Sequence, residues 1–411
     1  LVDLPGDISG TEADFTIPKT VEIDSYKPTY EGHPKQIKAA AALIEKAEQP
    51  VIIIGGGVIN SGASELVKQL AEKTNIPVIH TLMGKGGFPE SSNLSLGMPG
   101  MHGTVTANKA IQESDLIIAL GMRFDDRVTG DLSKFAPKAK VIHVDIDPAE
   151  IGKVRTPLVP IVGDLQWVLT AMLEYVPERP AGDWNALLER MKEQFALTWE
   201  KLEDEIHPAE VVEALWRLTK GEAIVATEVG QNQMWAAQFY KMEKPRRFLS
   251  SGGLGTMGYG FPAAIGAQVA FPNETVIDIA GDGSIQMNIQ ELGTACEQKL
   301  PVKVFILDNC HLGMVRQWQE LFWDKRYSGT PLCYNPDFAM VAEAYGGVGI
   351  RLSSRKELEP KLKEALSVTD RPVFCHIKIA KEANVFPMVG PGWPIDRIML
   401  SSADAPKKKG K

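Results

Sequence analysis

The chain has 411 residues, of which 44% are hydrophobic and 23% charged, proportions typical of globular proteins with two or three domains. Its formal net charge of −8 at pH 7 argues against nucleic acid or an anionic membrane as a partner, because both require a basic face; no apolar run approaches the roughly 18 residues of a membrane span. The four cysteines lack CxxC spacing, which favours reduced thiols in a cytoplasmic protein over a disulfide or zinc framework.

The first five residues, Leu1-Val2-Asp3-Leu4-Pro5, include no initiating Met and no signal-peptide features. An apolar run that ends at a proline predicts the last strand of a preceding domain. We therefore expect the chain to lack most of an upstream domain.

A first series of short β-rich runs begins near Gln49 and alternates with amphipathic helical stretches such as Ser64–Lys73 and Val105–Glu113. The predicted strands of this series are Pro50–Ile54, Ile76–Thr81, Asp115–Leu120, Val141–Asp145 and Leu158–Val162. Apolar strands separated by helices predict a parallel sheet that is covered on both faces.

A Pro- and Gly-containing break at Pro177–Asp183 precedes a charged stretch, Trp184–Glu205, for which we predict a linker helix. A second series of strands follows, with a helix predicted at Asn288–Gln298 and a disordered basic tail at Ala403–Lys411. The predicted strands of this series are Ala223–Ala226, Thr275–Ala280, Val302–Leu307, Val348–Leu352 and Val373–Ile379. The predicted fold class is α/β, with two tandem doubly wound parallel-sheet domains.

The most informative pattern lies in the second series. One predicted strand runs into Gly281-Asp282-Gly283-Ser284, and the next strand ends at Asp308-Asn309. Both polar groups would lie at carboxyl ends of parallel strands, where open α/β sheets bind ligands. The glycines allow backbone N–H groups to approach phosphate, and Asp282 and Asn309 offer the hard oxygens that suit Mg²⁺. A tight turn followed by a helix cap is the alternative interpretation.

This pattern, with its flanking segments, resembles the large catalytic subunit of acetohydroxyacid synthase, also called acetolactate synthase, a thiamine diphosphate (ThDP) enzyme. The flanking segments are Glu228–Gln238 (EVGQNQMWAAQ), Ser251–Ala270 (SGGLGTMGYGFPAAIGAQVA) and Leu312–Trp318 (LGMVRQW). The resemblance continues through the first series and covers nearly the whole chain.

The resemblance implies a site for ThDP and Mg²⁺ in the second domain. The implied metal ligands are Asp282, Asn309 and the backbone carbonyl of His311. The residues implied to hold ThDP are Gln231, Asn232, Gly255, Met257, Gly283 and Ser284. The residues implied to line the reaction pocket or the substrate channel are Val229, Met257, Met314 and Trp318.

Several of these residues have a second interpretation or depart from the family pattern. Met314 and Trp318 are four apart on a predicted helix, a spacing that is more often core, whereas the resemblance gives Trp318 a preference for 2-ketobutyrate as second substrate. Asp308 stands where the family usually has Asn, and it adds a carboxylate near the metal. Asn232 stands where His is usual, and it cannot titrate. The remaining histidines are predicted to be structural: His33, His80, His143, His207 and His376.

A second candidate site lies in the first series. Val51–Gly57 (VIIIGGG) runs from a strand into a glycine turn, but Asn60 takes the place of the third glycine in the dinucleotide fingerprint, so a plain turn is an equal interpretation. Gly97–Gly103 and Gly121–Gly130 (GMRFDDRVTG) are more specific, because their arginines could bind a diphosphate or form exposed ion pairs. These segments resemble the FAD-binding segments of the anabolic acetohydroxyacid synthases. The implied flavin contacts are Gly55, Gly56, Gly57, Thr81, Leu82, Met83, Gly100, Met101, His102, Gly121, Arg123, Asp125, Arg127, Val128, Asp145, Ile146 and Asp164.

The resemblance also implies a domain layout and an activity. The implied layout is a remnant of a pyrimidine-binding domain with a linker (1–30), a central FAD-binding domain (31–180), a linker helix (181–206), a domain for the ThDP diphosphate and Mg²⁺ (207–385) and a C-terminal tail (386–411). The implied transferase reaction condenses pyruvate with a second 2-ketoacid, giving 2-acetolactate or 2-aceto-2-hydroxybutyrate for branched-chain amino acids, with FAD in a structural role.

The family's properties also imply partners. We expect a homodimer or tetramer, and a small regulatory subunit is a further candidate partner. The glutamate that binds the cofactor's pyrimidine in the family lies in the upstream domain, so we expect this chain alone to be inactive. The alternatives are another FAD/ThDP enzyme, such as glyoxylate carboligase or pyruvate oxidase, and an inactive cofactor-binding fragment.

Overall fold

A computed structural model describes residues 3–23 and 26–406 of the chain. Within these residues, no helix combines the length and the apolar character needed to cross a bilayer. Two separate parallel sheets, one of five strands and one of six, follow each other along the chain, and helices pack against them. This arrangement confirms the predicted fold class.

The first sheet is built from alternating strands and helices. Its elements, with the short helix that precedes them, are α1 (Gly6–Ser9), α2 (Pro34–Lys46), β1 (Pro50–Ile54), α3 (Gly56–Ser61), α4 (Ser64–Thr74), β2 (Val78–His80), α5 (Val105–Glu113), β3 (Leu116–Leu120), α6 (Asp126–Thr129), β4 (Lys140–Asp145), β5 (Val159–Val162), α7 (Leu165–Tyr175) and α8 (Asp183–Gln194), with 3₁₀ turns at Leu82–Gly84 and Leu132–Lys134. The strand order is β2-β1-β3-β4-β5, and the order reverses between β1 and β3.

The continuous apolar sequence of β1 follows from its central position in the first sheet. All five of its residues are buried, because Ile52 and Ile54 pack into the core on one face while Val51 and Ile53 pack into the core on the other. Its bounds, Pro50–Ile54, are those predicted from the sequence.

The second sheet repeats this plan and adds an edge strand. Its elements are α9 (Pro208–Thr219), β6 (Ile224–Thr227), α10 (Gln231–Phe239), β7 (Phe248–Ser250), α11 (Gly260–Ala270), β8 (Val276–Gly281), α12 (Leu292–Glu297), β9 (Lys303–Asp308), α13 (Gly313–Phe322), α14 (Phe338–Ala344), β10 (Val348–Leu352), α15 (Leu358–Ser367) and β11 (Val373–Lys378). A small antiparallel pair, β12 (Met388–Val389) and β13 (Ile398–Met399), follows. The strand order is β10-β11-β9-β8-β6-β7, which reverses between β6 and β8.

A buried ion pair of the first domain forms hydrogen bonds with the backbone of the second domain. Lys85 is 1% exposed, and its Nζ donates to Glu90 Oε1 at 2.5 Å and to the Ala237 carbonyl of α10 at 2.9 Å. The Met242 N–H donates to the same Glu90 carboxylate at 3.0 Å, and His80 Nε2 lies 3.5 Å from its other oxygen. The charge of Glu90 is thus matched by one cation from its own domain and by a backbone donor from the other domain.

Two predicted helices differ from the observed ones. The helix predicted for Trp184–Glu205 ends at Gln194; beyond it, the indole of Trp199 stacks on His207 with ring centroids 5.5 Å apart. The helix predicted for Asn288–Gln298 is interrupted, because a 3₁₀ segment at Ile285–Glu291 precedes α12 and Asn288 has a φ of −135°. Local packing and side-chain contacts override the helical pattern at both places.

Two predictions at the ends of the chain also need correction. Residues Asp3–Pro5 are not in a strand and α1 follows them, while Leu1 and Val2 lie outside the described residues. The predicted tail includes an ordered 3₁₀ turn at Ser402–Asp404, which is closed by the Asp404 carboxylate because that group accepts the N–H groups of Leu400 and Ser401. The last five residues, 407–411, also lie outside the described part.

Candidate active site

The reversal of strand order between β6 and β8 brings several predicted residues to one edge of the second sheet. Asn232, in the first turn of α10, donates from Nδ2 to the Ile279 carbonyl of β8 at 2.8 Å. Gln231, beside it, accepts a hydrogen bond from Asn309 Nδ2 at 3.2 Å. The predicted residues Gln231 and Asn232 therefore contact β8 and Asn309, the residue that follows β9.

The predicted metal ligands lie on adjacent loops after β8 and β9. Asn335 bridges these loops, because its Nδ2 donates to Asp282 Oδ2 at 2.7 Å and to Asp308 Oδ1 at 3.0 Å. Asn309 follows Asp308, and its Oδ1 accepts the His311 N–H at 3.0 Å. No group of three or more His, Cys, Asp or Glu side chains in the described chain is arranged for a metal. One carboxylate, one amide oxygen and a backbone carbonyl nevertheless fit Mg²⁺, which completes its shell with phosphate and water oxygens.

The extra carboxylate of Asp308 is paired within the protein. His376 Nε2 lies 2.7 Å from Asp308 Oδ2, and Lys378 Nζ contacts the same oxygen. Burial would raise the pKa of Asp308, but the hydrogen bonds from His376 and Lys378 outweigh it and hold that pKa well below its usual range. Burial, and then the Asp308 carboxylate, raise the pKa of Asp282 to about 8. The departure at Asp308 is therefore compensated by two residues of β11.

Two glycines at the predicted diphosphate site, Gly281 and Gly283, are closely packed on the side where a Cβ atom would lie. A Cβ added to Gly283 would lie 2.7 Å from Leu312, 3.2 Å from Leu332 and 3.8 Å from the Met257 methyl. Gly281 is similarly confined, since an added Cβ would lie 3.1 Å from Asn232 Oδ1 and 3.4 Å from Ser284 Oγ. Backbone N–H groups in such a turn are free to approach a phosphate closely.

The segment Ser251–Tyr259, which precedes α11, forms another wall of the site. Gly255 has a φ of +65°, and an added Cβ there would lie 3.9 Å from Val229. Val229 thus lies near Gly255, and Met257 lies near Gly283. Sequence analysis missed Glu228, whose carboxylate accepts the Gly258 N–H at 2.6 Å.

Met314 and Trp318 both line a cavity of about 570 Å³ together with the exposed Trp323. Trp318 also packs edge-to-face on Phe322, with ring centroids 5.8 Å apart, and Met314 packs against the core of the second domain. Both interpretations of this pair thus find support, because each side chain contributes to packing and also faces an open space.

The predicted flavin contacts follow all five strands of the first sheet. Apart from Gly100, Met101 and His102, which precede α5, they lie at the carboxyl ends of these strands, on both sides of the reversal between β1 and β3. Such a reversal is where this strand order binds ligands. Arg123 and Arg127 are exposed and form ion pairs with Asp125 at 3.7 Å and Asp126 at 2.9 Å. These ion pairs match the alternative interpretation of the segment, and they leave the arginine side chains accessible.

Two adjacent glycines at this edge have different structural constraints. A Cβ at Gly57 would lie 2.6 Å from Gly121 Cα, whereas a Cβ at Gly56 would lie 3.3 Å from the Met83 side chain. Because backbone cannot give way, we expect Gly57→Ala to destabilise the fold by about 1–3 kcal/mol. We expect Gly56→Ala, the matched control, to cost clearly less. Urea unfolding would measure both, and equal costs would contradict the close approach.

A second cavity is larger than the one beside Trp318. It has a volume of about 960 Å³, is located between the two domains, and is lined by residues that include Lys192, Trp199 and Gln238. His102, one of the predicted flavin contacts, also lines it. Burial lowers the pKa of this imidazole to about 4, against the opposing effect of the Pro387 backbone, so the ring is neutral at pH 7.

Comparison with known proteins finds relatives for both sheet domains. Residues 37–172 match the family described as thiamine pyrophosphate enzyme, central domain, and residues 228–377 match its C-terminal TPP binding domain. The chain is 45% identical over 415 residues to the acetolactate synthase isozyme 3 large subunit of Escherichia coli (strain K12), an alignment that covers 98% of this chain and 72% of that protein. It is 47% identical over 402 residues to the acetolactate synthase large subunit of Corynebacterium glutamicum, covering 95% and 64%. It is 48% identical over 420 residues to a probable acetolactate synthase large subunit of Methanocaldococcus jannaschii, covering 99% and 71%.

Proposed function

Because the chain belongs to the acetolactate synthase large subunits, a family of ThDP-dependent transferases, we propose that its active site decarboxylates pyruvate and joins the remaining two carbons to a second 2-ketoacid. The products would be 2-acetolactate from pyruvate and 2-aceto-2-hydroxybutyrate from 2-ketobutyrate, both precursors of branched-chain amino acids. A cytoplasmic location fits the four free cysteines.

One observation carries the proposal: the confined turn at Gly283, the oxygen ligands Asp282 and Asn309, and the Met257 side chain meet at the reversal point of the second sheet. When bound, ThDP supplies a thiazolium that accepts the electrons released by decarboxylation. The residues of this chain hold and orient it. Asp282 and Asn309 would bind Mg²⁺ at the diphosphate, and Met257 would support the thiazolium from one side.

Binding is the first test of the proposal. Isothermal titration with ThDP should show binding that requires Mg²⁺. Because this chain aligns with 72% of its Escherichia coli relative, the proposal is judged on binding rather than on the rate of turnover. Failure to bind ThDP at millimolar Mg²⁺ would contradict it.

FAD would bind at the carboxyl edge of the first sheet. The support is the reversal point between β1 and β3 and the exposed side chains of Arg123 and Arg127 beside it. We expect Arg123→Gln to weaken FAD binding about tenfold, since one charge-assisted hydrogen bond to phosphate is lost. Lys134→Gln, which also breaks an exposed ion pair in this domain, should leave binding unchanged. Flavin fluorescence on titration measures both, and equal losses would contradict the assignment.

A homodimer would form through the face that carries α11. This helix is apolar on all sides, and Val269 and Phe271 at its end are more than half exposed although both are hydrophobic. A small regulatory subunit is a further proposed partner, because the relatives are named large subunits. Sedimentation of the purified chain across a concentration series tests the dimer, and a monomer throughout would contradict it.

A further inference from the structure

Glu228 caps a helix that begins 32 residues later in the sequence. It follows β6 directly and is fully buried. Its carboxylate accepts the Gly258 N–H at 2.6 Å and the Phe261 N–H at 3.1 Å, at the start of α11. A carboxylate at a helix N-terminus satisfies amide donors that lack a partner within the helix, and it interacts favourably with the helix dipole.

A second buried carboxyl group lies behind this contact. Asp278, on the neighbouring strand β8, is fully buried, and neither of its carboxyl oxygens has a hydrogen-bond partner among the described residues. Gly260 separates the two acidic residues, since an added Cβ there would lie 2.5 Å from Asp278 Oδ1 and 2.6 Å from the Glu228 nitrogen. Burial, and then the charge of Glu228, raise the pKa of Asp278 well above its usual value. Burial raises the pKa of Glu228 as well, and the backbone hydrogen bonds from the start of α11 oppose this effect.

The segment held by Glu228 is the one that carries Gly255 and Met257. Gly258, which Glu228 binds, follows Met257 directly, and its carbonyl accepts Asn288 Nδ2 at 2.7 Å. At the other end of the segment, the Ser251 carbonyl accepts the Gly255 N–H at 3.1 Å and Gln233 Nε2 at 3.5 Å, and Ser251 Oγ accepts the Thr256 N–H at 3.0 Å. Leu254 between them is 95% exposed. The position of Met257 thus depends on how firmly Gly258 is held.

We propose that Glu228 is a positioning residue for the cofactor site: by binding the N–H groups of Gly258 and Phe261, it fixes the Met257 side chain and the Gly255 backbone where the ring systems of ThDP would lie. This inference rests on the proposed function. It concerns the part of the site that would bind the rings of ThDP, and it does not concern the part that would bind the diphosphate.

The test compares two ligands in two isosteric variants of the full chain. The dissociation constants of ThDP and of inorganic pyrophosphate, each with Mg²⁺, are measured by titration calorimetry. In Glu228→Gln the amide group can accept only one of the two N–H groups, so ThDP affinity should fall about tenfold or more. Pyrophosphate affinity should change less than about threefold, because its contacts lie at Gln231 and Gly283. Asp278→Asn, the matched control, should behave as wild type with both ligands.

A further variant keeps the test decisive if Glu228→Gln folds poorly. Asn288→Ala removes the other bond that holds Gly258, and it should produce the same selective loss of ThDP affinity. An equal loss for both ligands in these variants, or no loss for either, would overturn the positioning role. A wild-type chain that binds neither ligand would instead contradict the proposed function, so the two failures are distinguishable.

Discussion

Replacing Asp282 with Asn is expected to abolish Mg²⁺-dependent ThDP binding while leaving the fold at least as stable. Asn supplies an oxygen of the right size but no charge, and losing a carboxylate that would bind the metal directly should lower metal-dependent affinity about 100-fold or more. The unliganded fold should tolerate the change, because burial and the neighbouring Asp308 raise the pKa of Asp282 to about 8 and disfavour its charge. Calorimetric titration and urea unfolding of the same samples measure the two effects.

Asp308→Asn is the matched control, since it makes the same substitution on the adjacent strand. Asp308 is bound by His376, Lys378 and Asn335, so its loss should cost roughly 1–3 kcal/mol of unfolding free energy. ThDP affinity should fall less than about tenfold. We thus expect one variant to lose binding and the other to lose stability. The reverse pattern would assign the metal to Asp308.

Glu90→Gln is expected to cause the largest loss of stability. The substitution leaves Lys85 buried between the domains without its anionic partner, and breaking a buried pair on one side typically costs about 3–5 kcal/mol. Urea or thermal unfolding measures the cost. The double variant Lys85→Met/Glu90→Gln should recover most of it, because no unpaired charge remains. A single variant as stable as wild type would show that water reaches Lys85.

The same pair should make stability depend on pH. Burial alone would raise the pKa of Glu90, but Lys85 and then His80 outweigh it and hold the pKa at about 2, against a usual 4.5. A carboxyl group whose pKa is lowered by folding stabilises the protein fully above its unfolded pKa, and this stabilisation disappears as the pH falls from 4.5 towards 2. The difference between wild type and Glu90→Gln should shrink over that range. A constant difference would contradict the assignment.

The sequence predicts the strands well because each is a short, buried apolar run between turns. Val348–Leu352 and Pro50–Ile54 have their predicted bounds. The edge strand β7 was missed, since it has only three residues and a weak pattern. The linker helix was predicted to be too long, because its charged sequence continues beyond Gln194, where the observed helix ends.

The sequence predicts those residues of the candidate site that directly follow strands. It does not predict their hydrogen-bonding partners from segments far away in the sequence. His376 and Lys378 lie on β11 and pair with Asp308 about seventy positions earlier. The sequence did contain a signal for this pairing. His376 and Lys378 are two positions apart on β11, which places both side chains on the same face of the strand, where they can pair with the carboxylate on β9. Asp278 gave a similar signal, since a carboxyl group in the middle of the apolar run TVIDIA requires an explanation.

Helix α10 connects the candidate binding edges of the two sheets. Its first residue, Gln231, is at the edge of the second sheet, and the Ala237 carbonyl near its other end accepts Lys85, which lies just past the Thr81–Met83 edge of the first sheet. From Gln231 to Ala237 the helix rises about 9 Å. The hydrogen-bonded helix thus links the two edges through the protein itself, so neither ligand has to establish that link on binding.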